Sequence, residues 1–240
     1  MLSVVIITKN EEEYLPKLLK SLENQTFKDF EVIVSDADST DKTREIAKQY
    51  GCRVVKGGLP AKGRNNGAKE AKHELLLFLD SDTVLPPNFL KDNLKEFREK
   101  NLDSATVVYK PISNKKRDKL LHSAYNTWAK GMQYLSPHAA GICIFCTKEA
   151  FNKVNGFNEK LHIAEDHAFV RQIKENGCKF RLLKSVPIFV SVRRAEKEGR
   201  LRLLAKYIYS GIYRLLLGKE IEKELVKYDF EYENKKRSKK

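Results

Sequence analysis

The chain has 240 residues, 41% of them hydrophobic, and 46 Lys plus Arg against 32 Asp plus Glu, a formal charge of +14. That apolar content excludes a disordered chain and is enough for one large core or two small ones. The longest unbroken apolar runs, residues 75–79 and 142–146, are five residues each; a bilayer span needs roughly 20 and a secretory leader roughly 7–15, so a cytoplasmic chain without either is expected.

Strand and helix signals alternate through the first hundred residues. Residues 3–7 are a β-branched run and predict a strand, and residues 12–23 place Leu15, Leu18, Leu19 and Leu22 at helical spacing. Residues 30–35 predict a second strand. Ser39-Thr40-Asp41 offers N-cap chemistry to a helix carrying Ile46 and Ala47, which Gly51 stops. Residues 52–56 predict a third strand, 61–72 a third helix, and 74–79 a fourth strand whose nearly continuous apolar character suits burial on both faces. Strands separated by helices imply an α/β architecture, a Rossmann-like, mostly parallel central sheet flanked by helices.

Beyond Pro86-Pro87 the pattern continues with a helix over 88–100 and a strand over 105–109. Residues 111–119 are polar and basic, 120–135 predict a helix, 141–146 a strand, and 148–154 a short helix ended by Asn155-Gly156. A helix over 165–176 stops at Gly177, and strands follow at 180–183 and 188–192. Four cysteines, Cys52, Cys143, Cys146 and Cys178, are too few and too scattered for a disulfide framework. Cys143 and Cys146 have C-x-x-C spacing but no second pair to complete a zinc site, so they read as core residues.

Ligands of such sheets bind outside the carboxyl ends of the strands. Strand one is followed by Thr8-Lys9-Asn10-Glu11, strand two by Asp36-Ala37-Asp38, strand three by a loop with Lys56, Gly57, Gly58, Lys62 and Arg64, and strand four by Asp80-Ser81-Asp82. Solvated loops alone do not predict two Asp-x-Asp triplets directly after apolar strands. Asp80 and Asp82, two apart on an extended segment, point the same way and can face one cation. Mg²⁺ and Mn²⁺ are commonly held by one or two carboxylates together with substrate phosphates and water.

Lys62 and Arg64 precede Asn65-Asn66-Gly67 near the start of the third helix, where backbone N–H groups favour an anion; an exposed basic helix end is the alternative. Glu165-Asp166-His167 opens another helix. The helix dipole favours carboxylates there with or without chemistry, and a carboxylate facing the other acidic clusters can take a proton from a hydroxyl.

The ordered set Ser3-Val4-Val5-Ile6-Ile7-Thr8-Lys9-Asn10-Glu11, Asp36-Ala37-Asp38-Ser39-Thr40-Asp41, Asp80-Ser81-Asp82, Gly156-Phe157 and Glu165-Asp166 resembles glycosyltransferase family 2, with the GT-A fold, over about residues 1–195. The resemblance implies a catalytic domain over 1–195, with a nucleotide-sugar-binding half at 1–110 and an acceptor and catalytic half at 111–195. It also implies an inverting transfer from a nucleotide-diphosphate sugar. Thr8, Asn10, Glu11 and Asp36 would bind base and ribose, with Asp38 nearby, and Arg64 would approach the nucleotide; Lys62 joins the donor-binding set through the anion-favouring helix start described above. Asp80 would contact ribose or metal, Asp82 would coordinate Mn²⁺ or Mg²⁺, and Asp166 would be the general base. Arg193 and Arg194 resemble residues that contact diphosphate or an anionic acceptor. The chain departs from the family pattern where Ala37 separates Asp36 from Asp38, and it lacks the Q-x-x-R-W signature of processive synthases, so transfer of a single sugar is expected.

Residues 191–240 hold 15 Lys/Arg and 8 Asp/Glu, half of the surplus charge. Within them, 201–217 has twelve apolar residues of seventeen, with Arg202, Lys206, Ser210 and Arg214 at every fourth position. This is an amphipathic C-terminal helix suited to an anionic membrane surface or to packing on protein. The basic tail at 235–240 adds to that attraction, and membrane contact would favour a lipid-linked acceptor. A nucleotidyltransferase is the nearest enzymatic alternative. A nucleic-acid-binding module is the alternative from a different class, but no aromatic-interleaved basic motif supports it and a carboxylate rim repels phosphates, so no nucleic-acid partner is expected.

Overall fold

The computed structural model describes residues 1–134, 137, 141–161 and 164–200. In chain order it begins β1 (Leu2–Thr8), α1 (Leu15–Glu23), β2 (Phe30–Asp36), α2 (Thr43–Gln49), β3 (Arg53–Lys56), α3 (Pro60–Lys69) and β4 (Leu75–Asp80). There follow β5 (Thr83–Val84), α4 (Phe89–Glu99), β6 (Ser104–Pro111), α5 (Lys116–Met132), β7 (Cys143–Thr147), α6 (Lys148–Lys153), α7 (Glu165–Glu175), β8 (Phe180–Val190) and α8 (Arg193–Glu198).

The strands form one eight-stranded sheet in the order β3-β2-β1-β4-β7-β6-β8-β5. β1 pairs in parallel with β2 and β4, β2 with β3, and β6 with β8. The mixed character comes from β7, antiparallel to both β4 and β6, and from the short β5, antiparallel to β8. Side chains alternate between two cores, as the two-residue period of a strand requires. β1 sends Leu2, Val4 and Ile6 to one and Val5 to the other; β4 divides Leu77 and Leu79 from Leu76 and Phe78, and β7 divides Cys143 and Phe145 from Ile144 and Cys146. The first core is covered by Leu15, Leu18, Ala47 and Phe89 from α1, α2 and α4, and the second by Ala61, Ala68, Ala150 and Phe169 from α3, α6 and α7. Each fully buried Leu or Phe contributes about 1.5–3 kcal/mol against the entropy of ordering the chain.

Three sequence expectations change. The strands expected at 180–183 and 188–192 are one strand, β8, whose register against β6 shifts between Val107 and Tyr109. A bulge of this kind accommodates Pro187, which cannot donate to a ladder. The freed groups find partners on α4: Lys184 N–H and Ser185 N–H donate to Glu96 Oε2, each at 2.8 Å, and Asn93 Nδ2 donates to Val186 O at 2.9 Å. The second helix starts at Thr43 rather than directly after Ser39-Thr40-Asp41, and Asp41 Oδ1 accepts from Thr43 N–H and Oγ1 at 3.0 and 2.5 Å. The third helix, expected over 61–72 with Lys62 and Arg64 inside it, ends at Lys69. All four cysteines are free thiols, three of them buried. Among the described residues no helix is long and apolar enough to cross a membrane, and the amphipathic helix expected at 201–217 lies outside the described residues.

Helix α3 lies against β1 through glycine. A Cβ on Gly67 would stand 2.2 Å from Val5 Cγ1, and one on Gly63 would stand 3.1 Å from Ile7 Cγ2. Gly67→Ala gains about 1 kcal/mol of helix propensity but overpacks the second core at a cost of about 1–3 kcal/mol. Urea denaturation should show a net loss of up to about 2 kcal/mol. Val5→Ala should relieve much of it, making the double variant more stable than the sum of the single losses; strict additivity would contradict the close approach.

Candidate active site

Strand register brings the acidic clusters to one edge of the sheet. Thr8 at the end of β1 lies opposite Asp36, and Ile7 lies opposite Asp80. The loops after β1 and β2 are then laced together. Thr8 Oγ1 donates to Asp36 Oδ2 at 3.0 Å, and Ser39 N–H donates to Asp36 Oδ1 at 2.9 Å. Thr40 N–H donates to Asn10 Oδ1 at 2.9 Å, and Glu11 N–H to Thr43 Oγ1 at 2.7 Å. Lys9 Nζ donates to the carbonyls of Ala37 and Asp38 at 2.6 and 2.8 Å. Asn10 and Asp38 both adopt φ of +55°, a left-handed conformation that Asn and Asp tolerate better than most residues.

Arg64 is the centre of a buried ionic group. It is 2% exposed, and its Nη1 donates to Glu165 Oε1 at 2.6 Å. Its Nη2 donates to Asp80 Oδ1 at 3.0 Å and to Gly141 O at 3.1 Å. Asp166 also faces this guanidinium; its Oδ2 accepts from Gly141 N–H and its Oδ1 from His167 N–H at 2.7 Å. A Cβ on Gly141 would lie 2.3 Å from Arg64 Nη2, so only glycine leaves room for the guanidinium. Phe157 lies 5.3 Å from the Arg64 guanidinium carbon and stacks on Phe169 at 4.1 Å. Asn65 fixes Phe157 by accepting from its N–H and donating to its carbonyl, both at 2.8 Å.

One guanidinium therefore serves three carboxylates, Asp80, Glu165 and Asp166. Burial, reinforced by Asp166, pushes the Glu165 carboxyl up to about 7 even with Arg64 in contact. Burial likewise holds Asp166 above the usual aspartate range, against the attraction of Arg64. Ala164 precedes both at φ +60°, a left-handed backbone that a Cβ disfavours, and it is the turn from which this helix start departs.

A second guanidinium arrives from the end of β8. Arg193 Nε donates to Asp82 Oδ2 at 3.0 Å and Nη2 to Glu11 Oε1 at 2.5 Å, and the group lies 4.4 Å from the Tyr14 ring. Burial, with Asp80 adding like charge, raises the Asp82 carboxyl, although Arg193 opposes the shift. An adjoining cavity of about 240 Å³ is lined by Tyr14, Asp82, Thr83, Ser191 and Arg193 among others.

The expected residues are thus gathered unevenly. Thr8, Asn10, Glu11, Asp36, Arg64, Asp80, Asp82, Asp166 and Arg193 converge on the carboxyl edge of the sheet. Arg64 is neither an exposed basic helix end nor a cation at the first turn, because it turns inward to Glu165. Asp38 is exposed and contributes its carbonyl to Lys9, Lys62 is exposed beside Gly58, and Arg194 pairs with Glu198 at 2.8 Å on its own helix. Glu165 carries no role in the sequence-based site, yet it holds Arg64; Tyr14 and Gly141 were not singled out at all. Tyr14 ends an irregular turn and Gly141 precedes an apolar strand, positions without a local signal of chemistry.

Asp80 ends β4, while Asp82 lies in the turn beyond it rather than on the extended segment expected from sequence, and among the described residues no cluster of three or more His, Cys, Asp or Glu forms a protein-only metal cage. The two aspartates fit Mg²⁺ or Mn²⁺ completed by phosphate oxygens and water. Among the described residues, five carboxylates, Glu11, Asp80, Asp82, Glu165 and Asp166, face the guanidiniums of Arg64 and Arg193, a surplus of acidic groups that a divalent cation would offset.

Glu165 has a folded-state pKa above its ordinary 4.5, so the stability it contributes is complete below pH 4.5 and is lost as the pH rises through about 7. Glu165→Gln should flatten the fall in urea midpoint between those values. Parallel pH profiles for variant and parent would contradict the buried, under-compensated carboxylate.

Comparison with known proteins gives the family. The family described as Glycosyl transferase family 2 matches residues 3–154, and that described as N-terminal domain of galactosyltransferase matches residues 121–195. Poly(ribitol-phosphate) beta-N-acetylglucosaminyltransferase TarS of Staphylococcus aureus is 28% identical over 206 residues, 80% of this chain and 35% of TarS. The crystal structure of TarS 1-349 in complex with UDP-GlcNAc superposes with a TM-score of 0.66 at 25% identity, covering 79% of this chain and 58% of that one. The GalNAc(5)-diNAcBac-PP-undecaprenol beta-1,3-glucosyltransferase of Campylobacter jejuni is 35% identical over 108 residues, 41% of this chain and 35% of its own length. The mannosyltransferase PcManGT of Pyrobaculum calidifontis, solved with GDP-Man and Mn²⁺, shares the fold at a TM-score of 0.68 and 20% identity, over 87% of this chain and 64% of its own. The chain spans about a third of the length of the two bacterial relatives matched by sequence. The mixed sheet is that of the GT-A fold, and the chain belongs to glycosyl transferase family 2.

Proposed function

We propose that this chain is an inverting glycosyltransferase that moves a single sugar from a nucleotide-diphosphate donor to an acceptor hydroxyl or phosphate, with Mn²⁺ or Mg²⁺. The observation that carries the reading is the convergence of Asp80 and Asp166 on Arg64, with Asp82 two residues from Asp80. TarS solved with UDP-GlcNAc and PcManGT solved with GDP-Man and Mn²⁺ support the donor class and the cation.

In this reading the laced loops carrying Thr8, Asn10, Glu11 and Asp36 form the wall for base and ribose. Asp80 and Asp82 would hold the cation, which when bound would offset the negative charge of the departing diphosphate. Asp166 takes the proton from the acceptor oxygen as that oxygen attacks the anomeric carbon. The bond from that carbon to the diphosphate oxygen breaks, and its electron pair leaves with the nucleotide. A single displacement from the opposite face inverts the anomeric centre. Arg64 orients Asp80 and faces Asp166, and burial gives Asp166 the raised basicity that proton transfer requires.

The acceptor belongs to the same reading in finer detail. The undecaprenol-linked acceptor named for the Campylobacter relative supports a lipid-linked one. Helix α5 supports a membrane surface nearby: Leu120, Leu121 and Trp128 are exposed on it, with Lys115, Lys116, Arg117 and Lys119 at its start. The apolar pattern of residues 201–217 and the basic tail point the same way.

Asp166→Asn should lower release of nucleoside diphosphate from the cognate donor by about 10²–10⁴-fold. Donor-induced thermal stabilisation, screened with UDP-, GDP- and dTDP-sugars and Mn²⁺, should persist in the variant. Retained turnover would remove Asp166 from the chemistry, and release of pyrophosphate by the parent would mark a nucleotidyltransferase instead.

A further inference from the structure

The segment from Ser191 to Arg200 is fastened ionically at both ends. At its start, Arg193 spans two elements: Asp82 beyond β4 at 3.0 Å and Glu11 beyond β1 at 2.5 Å, with Tyr14 beneath it. At its end, Arg200 grips Asp118 on α5 with two bonds, at 2.6 and 2.9 Å, and Lys115 pairs with Glu196 at 2.5 Å. Asp118 is 2% exposed and also accepts from Ser113 Oγ at 2.6 Å, so the Arg200 fastening has a dedicated, well-satisfied partner. The Arg193 fastening does not: the carboxylate it holds is the one the proposed cation needs.

Electrostatics makes the two occupants exclusive. Asp82 and Glu11 each gain from a positive charge, and Arg193 supplies one unit to both. Asp80 adds a further negative charge beside Asp82. A dication satisfies Asp82 better than a guanidinium shared with Glu11, and the two cations compete for the Asp82 carboxylate through their mutual repulsion.

We propose that Arg193 is the resident counter-ion of the cation site: it holds Asp82 and Glu11 while no metal is bound, a divalent cation must evict it, and the evicted guanidinium moves onto the donor's diphosphate. This rests on the reading of Asp82 as a metal ligand. Metal alone then binds weakly, because it must break the Arg193 pairs without giving that cation a new partner. Metal and nucleotide together bind synergistically, since the diphosphate supplies that partner, and linkage makes the coupling reciprocal. The anchor at Asp118 limits the movement to the N-terminal part of the strap.

The test is Mn²⁺ binding, read by electron paramagnetic resonance, to the parent, Arg193→Gln and Arg193→Lys, alone and with UDP or GDP; melting curves verify that each variant is folded. If Arg193 holds Asp82 about nine-tenths of the time, the apparent affinity for Mn²⁺ is reduced about tenfold. Arg193→Gln should therefore bind Mn²⁺ alone about tenfold more tightly than the parent while losing most of its affinity for UDP or GDP, with Arg193→Lys between the two. Amide exchange over residues 191–198 of the parent should rise on adding Mn²⁺ and fall again with the nucleotide. Unchanged or weaker Mn²⁺ binding by Arg193→Gln, with Asp82→Asn still abolishing it in the parent, overturns this inference alone. Mn²⁺ binding that is absent with either nucleotide, or indifferent to Asp82→Asn, overturns the metal reading and the inference with it.

Discussion

Among the described residues, too few cations for the carboxylates they serve is the condition around which this edge of the sheet is built. Asp80, Glu165 and Asp166 share Arg64, while Glu11 and Asp82 share Arg193. Ionised carboxylates withdrawn from water cost several kcal/mol apiece unless compensated, so the arrangement survives only where the surrounding fold imposes it. Raised carboxyl pKa values at Asp82, Glu165 and Asp166 are the direct expression of that imposition. Proteins place such groups where charge arrives from outside.

The sheet is what imposes it. Parallel register at β2, β1 and β4 puts Asp36, Thr8 and Asp80 side by side, and no strand can slip by one residue without exchanging its two cores. Helix α3 reaches under this edge because Gly63 and Gly67 let it lie close on β1, which in turn carries Arg64 inward. From the other half, Gly141 leaves space for the guanidinium and binds Asp166 through its N–H. The aromatic stack of Phe157 on Phe169, with Asn65 clamping Phe157, joins α3 to the helix that presents Glu165 and Asp166. The two halves of the chain are thus held together by the same residues that frame the chemistry.

Much of this was legible beforehand, and the reason is local. β1, β2 and β4 are short apolar runs with polar groups directly after them, so both the strands and the rim they deliver follow from spacing alone. What escaped depends on contacts far apart in the chain. Nothing in residues 141–146 says that β7 runs antiparallel between two parallel neighbours. Pro187 reads as a break until Glu96 and Asn93 are seen to satisfy the backbone across a bulge. Arg64 looks like a surface cation until Glu165, 101 positions away, is found on its Nη1. Arg193 was marked for diphosphate by resemblance, but its partnership with Glu11, 182 positions away, has no sequence signature.

The central claim is that the excess carboxylates at the end of β4 await a divalent cation together with a nucleotide diphosphate. Anomalous diffraction at the manganese edge, from crystals grown with Mn²⁺ and UDP or GDP, measures this most directly. One peak should lie within about 2.0–2.3 Å of an Asp82 carboxylate oxygen, bridged to the nucleotide phosphates. A nucleotide bound at this edge with no manganese peak near Asp80 or Asp82 would contradict it.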